Sequence, residues 1–267
     1  WNDDFHHAAR VALSGRKEAY FQDYAGRPQE LVSAIRHGFL YQGQRYAWQK
    51  QPRGTPTLGF PPERFVLFLQ NHDQIANSGR GLPLCRIVDP GRLRAMTALF
   101  LLAPCVPMLF QGQEWGSTRP FHYFAELVPE LAQAVAEGRR RDASQFPSLA
   151  TPAMQAIMPP PADAATFAAC KLDWDERARH GHWLALHRDL LGLRRDDPSL
   201  HGARLEGAVL GEEALVLRFM SPSGDRLLLV NLGVDLELAI MPEPLLAPPE
   251  GQDWALRWSS EDPAYGG

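Results

Sequence analysis

Cysteine is scarce in this sequence: its 267 residues contain only Cys85, Cys105 and Cys170. An odd number at scattered spacing forms no CxxC pair and no zinc pattern, which favours a reduced protein over a disulfide framework or a structural zinc site. His6 and His7 have no partner at metal-ligand spacing and are expected to pack or to support neighbouring groups. We therefore predict a reduced, cytoplasmic protein without a metal site.

The sequence also lacks a long apolar run, a signal peptide and an excess of basic residues. No stretch approaches the length of a transmembrane helix, so no membrane partner is predicted. The formal net charge is −4 and the pI about 6.2, which gives no basic surface for nucleic acid. The chain begins at Trp1, inside what reads as a motif, and ends in a loop-like Tyr265-Gly266-Gly267. We expect a chain that is truncated at both ends.

Apolar side chains are abundant, at 45% of all residues, which suffices for the core of one or two globular domains. The stretch FVLFLQNHDQ, residues 65–74, starts with five apolar residues and ends with polar ones. The apolar part predicts a strand buried on both faces, as in a parallel sheet. α/β barrels carry their chemistry at the carboxyl ends of such strands. Asn71, His72 and Asp73 are therefore candidate functional residues, although Asn and Asp are also good helix N-caps.

A second unit of the same kind follows. Asp89 and Pro90 predict the N-cap and the first residue of a helix whose body, residues 93–103, is apolar on more than one face. The next strand is predicted at 106–110, with the polar residues QGQE (111–114) at its end. Two strand–helix units in succession predict a right-handed βαβ series and a parallel sheet.

Further helices are predicted from apolar spacing and end signals. One begins after Asp3 or Asp4 as N-cap and ends at Gly15; a capping role and a role in a functional site are both open for these two carboxylates. The others are predicted at 28–38, at 129–137 with Gly138 as the stop, and at 182–195.

Three segments are predicted to be irregular or exposed. Residues 41–59 form a long loop, and residues 142–170, rich in Pro and Ala, have no regular structure. The run Arg139-Arg140-Arg141 is interpreted as a solvated or salt-bridged surface, since it is too short to indicate a nucleic-acid site.

The pattern changes after Asp197-Pro198 to short alternating runs separated by turn residues. This predicts an antiparallel β-sandwich domain at 199–267 after an α/β domain at 1–198. The predicted strands are Ala203–Leu210, Ala214–Met220, Arg226–Leu232, Leu236–Ile240 and Trp254–Trp258.

Three motifs carry a resemblance to a known family. They are QNHDQ (70–74) after a hydrophobic strand, WNDDFHH (1–7), and PMLFQGQEWG (107–116) followed by RPFHYF (119–124). Together they resemble the α-amylase family of glycoside hydrolases, and within it the maltooligosyltrehalose trehalohydrolases. The resemblance implies about the last three strands of a TIM (β/α)8 barrel, followed by a β-sandwich domain.

The resemblance also implies a function: a retaining glycosidase that hydrolyses the α-1,4 bond next to the terminal trehalose of maltooligosyltrehalose. Trehalose is released for trehalose biosynthesis, the partner is this oligosaccharide, and no metal or organic cofactor is needed. Asp73 is implied as the transition-state stabiliser and His72 as a hydrogen-bond donor to the sugar. The full set of implied substrate-binding residues is His72, Asn71, Gln74, Asp3, Asp4, Trp1 and Glu114.

Two of the three catalytic carboxylates that this chemistry needs are not identified in the chain. By resemblance, the nucleophilic Asp and the acid Glu precede Trp1, so we expect the 267 residues alone to be inactive.

Other readings stay open. They are a glucan branching or debranching enzyme, a non-catalytic α-glucan-binding protein, and a structural protein that uses only the sandwich.

Overall fold

The structure, a computed structural model, describes residues 1–238 and 240–267. Its helices are α1 (Asp3–Ser14), α2 (Pro28–His37), α3 (His72–Ala76), α4 (Pro90–Leu102), α5 (Pro129–Ala143), α6 (Pro152–Ala156), α7 (Ala164–Ala169), α8 (Asp175–Arg179) and α9 (Gly181–Asp196). Its strands are β1 (Arg45–Tyr46), β2 (Gln51–Pro52), β3 (Val66–Leu67), β4 (Val106–Pro107), β5 (Arg204–Val209), β6 (Ala214–Met220) and β7 (Arg226–Asn231).

Two short strands pair in parallel at the centre of the first part, and the start of the chain lies beside one of them. β3 pairs with β4, and the Val106 N–H donates to the Phe65 carbonyl at 2.9 Å. On the other side of β3, the Asn2 N–H donates to the Val66 carbonyl at 2.8 Å. The parallel arrangement predicted for the two strand–helix units is confirmed. Because the segments are parallel, the residues that follow each of them emerge at one edge.

Helix α1 begins differently from the prediction. Its N-cap is Asn2, whose side-chain oxygen accepts from the Phe5 N–H, so the expectation that Asp3 or Asp4 caps this helix was wrong. The Asn2 amide also donates to the Gly38 carbonyl, which a carboxylate could not do. The helix ends at Gly15, in the left-handed region at φ 68°, as predicted.

Helices α2, α4 and α9 agree with their sequence signals. α2 starts at Pro28 and has Gly38 as its C-cap. α4 has Asp89 as its N-cap, whose carboxylate accepts from the Arg92 N–H at 3.0 Å, and its body is buried on all faces. α9 extends the predicted helix by one residue at each end.

The predictions between the long helices were partly wrong. Gly138 does not stop α5, which continues to Ala143 and includes the three arginines; a helix-interior glycine costs only about 1 kcal/mol. Residues 142–170 contain the end of α5 and the short helices α6 and α7. The loop 41–59 contains the antiparallel pair β1–β2.

The C-terminal region has an antiparallel three-stranded sheet with the order β5-β6-β7. Its strands match three predicted ones closely, with Ala208 opposite Val216 and Val216 opposite Leu229. The other two predicted strands were wrong: residues 254–258 form no strand, and neither do the described residues of 236–240, while Ala239 lies outside the described residues. The described part is therefore one sheet and not a two-sheet sandwich. The prolines between residues 242 and 249 remove backbone donors from the segment that joins residues 236–240 to residues 254–258.

The sheet packs directly on the helices of the first part. A side chain at Gly207 would meet Val32 of α2 at 2.9 Å, so strand and helix backbones approach closely there. One buried hydrophobic cluster joins both regions and includes Leu31, Leu99, Leu190, Leu217 and Phe219. The proposed boundary between residues 198 and 199 stays a prediction, since the two regions share this core.

Candidate functional site

Asn71 connects β3 to α3. Its side chain is 1% exposed, and its oxygen accepts from the N–H groups of Asp73 and Gln74 at 3.0 and 3.2 Å. Asn71 is thus the N-cap of α3, the role that its residue type favours. The side-chain oxygen of Asn71 is thus occupied by the helix, and a contact of this residue with a sugar stays a prediction.

His72 and Asp73 project from the first turn of α3 into solvent. Their side chains are 54% and 65% exposed, and His72 Nε2 lies 3.4 Å from Asp73 Oδ1. The Trp1 ring, also exposed, meets the His72 ring edge-on with centroids 6.2 Å apart. The carboxyl ends of two neighbouring segments therefore bring an aromatic face, an imidazole and a carboxylate to one surface.

Asp3 adds a second carboxylate to this surface. Burial raises the pKa of the half-buried Asp3, and the negative charges of Asp4 and Asp73 raise it further, while the Arg53 guanidinium opposes them. Carboxylate oxygens accept hydrogen bonds from hydroxyl groups. Asp3 and Asp73 together suit a ligand with several hydroxyl groups.

Asp4 has a different environment from Asp3. Its side chain is 1% exposed, and its carboxylate accepts from the Tyr24 hydroxyl and from the N–H groups of Leu40 and Tyr41 at 2.8 and 3.0 Å. The Arg53 guanidinium lies 3.4 Å away. This corrects the expectation of sugar contact for Asp4: the carboxylate joins α1 to the loop that follows α2.

Arg53 is a site residue that sequence reasoning did not single out. It lies in a loop, and its guanidinium carbon is 4.7 Å from the centroid of the Tyr46 ring. The contact with Asp4 and the charge effect on Asp3 bring this cation next to both carboxylates. The only sequence signal was a basic residue among aromatics in a long loop, which many surface loops share.

His6 and His7 pack beneath this surface. The His6 ring stacks on Phe68 with centroids 5.0 Å apart, and Phe68 in turn contacts Trp1 at 5.8 Å. Burial lowers the pKa of His6 well below its usual value and that of His7 to about 4. Both rings are therefore neutral at pH 7 and support the aromatic side chains at the surface.

Gln74 faces away from His72 and Asp73. Its Oε1 is buried and has no hydrogen-bond partner among the described residues. The residue lines a cavity of about 60 Å³ together with His6, Arg10 and Tyr20. The substrate-binding role expected for Gln74 stays a prediction.

Glu114 follows β4, one strand away from Asp73. It lies in a single turn, Gln113–Trp115, and is half-buried. Neither the ring contact of Trp1 with His72 nor the approach of His72 to Asp73 includes it. Its role in ligand binding stays a prediction.

Two kinds of feature are absent from residues 1–238 and 240–267. No three His, Cys, Asp or Glu side chains converge there in a way that could hold a metal ion. No helix in that part of the chain is both long and apolar enough to cross a bilayer.

Comparison with known proteins identifies relatives over most of the chain. The malto-oligosyltrehalose trehalohydrolase of Deinococcus radiodurans is 40% identical over 241 residues, which cover 88% of this chain and 40% of that protein. The one from Arthrobacter ramosus is 37% identical over 202 residues, which cover 74% of this chain and 34% of that protein. The chain is a relative of the malto-oligosyltrehalose trehalohydrolases. The resemblance carried by the three motifs is thus confirmed.

The fold of this trehalohydrolase relative is α-amylase-like. The crystal structure of a "Putative alpha Amylase from Salmonella typhimurium" matches it with a TM-score of 0.75 and 35% identity, over 86% of this chain and 40% of that one. A family model described as "Domain of unknown function (DUF3459)" matches residues 202–267, the region of the antiparallel sheet. The chain spans well under half the length of the relatives named here.

Proposed function

We propose that this chain is part of a retaining α-glycosidase that cleaves the α-1,4 bond next to the terminal trehalose of maltooligosyltrehalose. The released trehalose serves trehalose biosynthesis. The observation that carries the proposal is the exposed group of Trp1, His72 and Asp73 beside the carboxyl end of the parallel strand β3, in a chain related to trehalohydrolases. Free thiols at all three cysteines support a cytoplasmic location.

Asp73 is the proposed transition-state stabiliser. The transition state of glycoside cleavage resembles an oxocarbenium ion and carries positive charge. A fixed carboxylate that binds this charge, and the hydroxyls of the same sugar, acts more strongly on the transition state than on the ground state. His72, 3.4 Å from Asp73, donates to a neighbouring hydroxyl. Asp3 bonds further hydroxyls, and Trp1 supplies a flat apolar face for a sugar ring.

The nucleophile and the acid are proposed to lie outside these 267 residues. Retaining enzymes hold that pair roughly 5–5.5 Å apart, on either side of the scissile bond. β3, β4 and the segment that would end at Trp1 and Asn2 are proposed as the last three strands of an eight-stranded barrel, and the missing pair would come from strands before them. The 267 residues alone are therefore expected to release no trehalose.

The test uses the native protein with maltooligosyltrehalose and measures free trehalose. Asp73→Asn keeps the shape of the side chain and removes its charge, so we expect kcat to fall roughly 100- to 1,000-fold with a small change in KM. Asp235→Asn, an exposed carboxylate in the C-terminal region, is the matched control and should leave both constants unchanged.

Each alternative has its own outcome. Changed branching of a glucan without free trehalose would assign the protein to branching or debranching enzymes. Sugar binding that depends on Asp73 and His72, with no turnover by the native protein, would make it a glucan-binding protein. Activity of Asp73→Asn equal to that of the control would refute the proposed role of Asp73.

A further inference from the structure

The three consecutive arginines of α5 differ in their environments. α5 lies mostly in solvent, with Ala143 as its buried residue. Arg140 and Arg141 are exposed, whereas Arg139 is half-buried. The solvated surface expected for the whole run thus applies to two of its members, and Arg139 has a separate role.

Arg139 contacts the end of the helix that carries the candidate site. Its Nη2 donates to the Ala76 carbonyl and to Asn77 Oδ1, both at 3.1 Å. Ala76 is the last residue of α3 and Asn77 is its C-cap. The last carbonyls of a helix have no partner within it, so a side-chain donor from elsewhere satisfies one of them. The guanidinium carbon also lies 5.0 Å from the centroid of the Tyr123 ring, which fixes it from a third side.

A single hydrogen bond connects this contact to Asp73. The Asn77 N–H donates to the Asp73 carbonyl at 2.8 Å. α3 has only five residues, so the residue that Arg139 holds and the candidate carboxylate lie one turn apart. Burial lowers the pKa of Arg139, while the charges of Asp142 and Asp73 oppose that shift, which agrees with a cation close to both carboxylates.

We propose that Arg139 is a positioning residue for Asp73: it fixes the end of α3 and so holds the carboxylate at the start of that helix in place. This inference rests on the proposed function. Arg139 touches no reacting atom in this scheme and acts through Asn77. A displacement of about 1 Å in a catalytic group can cost on the order of 100-fold in rate, so the loss of this contact should appear mainly in kcat.

The experiment compares four variants of the native protein. Arg139→Met removes the donors and the charge, and Arg139→Lys keeps the charge and one donor site. Arg140→Met and Arg141→Met make the same chemical change at the two exposed positions of the run. Trehalose release gives kcat and KM, and hydrogen exchange reports on the amides of residues 72–78.

We expect Arg139→Met to lower kcat about 10- to 100-fold, with KM within about threefold of the wild type. Exchange at the α3 amides should become faster. Arg139→Lys should recover part of kcat, and the two control variants should match the wild type. If Arg139→Met behaves like Arg140→Met in both kcat and exchange, the inference is wrong.

A second variant tests the same contact in case Arg139→Met does not fold. Asn77→Ala removes one of the two acceptors and leaves Arg139 in the chain, so it should lower kcat in the same direction. Combined with Arg139→Met, its effect should be smaller than the sum of the single effects, because both changes remove the same hydrogen bond between Arg139 and Asn77. Additive effects would overturn the link through Asn77.

The outcomes separate this inference from the proposed function. A wild-type protein that releases no trehalose refutes the activity, and hydrogen exchange then decides on Arg139 alone. Unchanged exchange of α3 in Arg139→Met would refute the contact. An active wild type with an unaffected Arg139→Met refutes only the positioning role.

Discussion

Asp3 and Asp4 are adjacent in sequence but should respond to substitution in opposite ways. Asp4 is buried and accepts from two backbone N–H groups and the Tyr24 hydroxyl, whereas Asp3 borders the exposed group around Asp73. We expect Asp4→Asn to reduce the stability of the protein and Asp3→Asn to reduce its activity.

The magnitude for Asp4→Asn follows from its contacts. A hydrogen bond to a charged group contributes about 1.5–3 kcal/mol, and one to a neutral group about 1 kcal/mol. An asparagine oxygen can still accept from Leu40 and Tyr41, but both bonds lose the charge, and its amide turns a donor toward Arg53. The loss should total about 3 kcal/mol, which is roughly a 100-fold change in the unfolding equilibrium. Asp3→Asn should change the free energy of unfolding by less than about 1 kcal/mol.

The assay is urea unfolding of the native protein and both variants, followed by kcat measured on the folded protein. Asp235→Asn serves again as the exposed control. An unchanged urea midpoint in Asp4→Asn, together with a loss of sugar binding, would refute the structural role given to Asp4. The reverse pattern in Asp3→Asn would remove that residue from the site.

Three further predictions concern buried polar groups. Burial alone would raise the pKa of Asp197, but the Arg226 hydrogen bonds outweigh it and hold the pKa below the usual value. The resulting contribution to stability is present above about pH 4 and is lost as pH falls through the folded pKa. Acid unfolding of Asp197→Asn should therefore depend less on pH than that of the wild type. Arg194 donates to carbonyls at the end of α4. Arg194→Met should lower the free energy of unfolding in urea by about 2–3 kcal/mol. Arg188→Met, on the exposed side of α9, should lower it by less than about 0.5 kcal/mol. Burial raises the pKa of Cys105 to about 12, so iodoacetamide at pH 8 should label this thiol far more slowly in the folded protein than in urea, and equal rates would contradict its burial.

The long helices were predictable because their signals are local. Pro28 and Gly38 bracket α2, and Asp89 caps α4, without help from distant residues. The strands of the C-terminal sheet follow from alternation and turns in the same way. The error at Gly138 arose because a glycine permits a helix end but does not force one, and the neighbouring residues favour continuation.

The candidate site was only partly predictable. The sequence placed Trp1, His72 and Asp73 at strand ends, and the structure brings their side chains to one surface. Asp3 and Asp4 could not be distinguished from the sequence, because the exposure of a side chain depends on what packs over it. Arg53 and Arg139 were missed as neighbours of the carboxylates for the same reason, since each reaches them from a distant loop or helix.

The sequence by itself determined the positions of the long helices and of strands β3 to β7, the polar residues that follow β3 and β4, and the relationship to trehalohydrolases. These depend on residue type, spacing and motif, which act within a few residues. The tertiary structure decided which polar residues are exposed and which are buried. Asn71 and Asp4 are buried and accept backbone hydrogen bonds, and Arg139 donates to the end of α3. Burial and hydrogen bonding across the chain set those roles, because a polar group inside a protein is stable only when another part of the chain pairs with it.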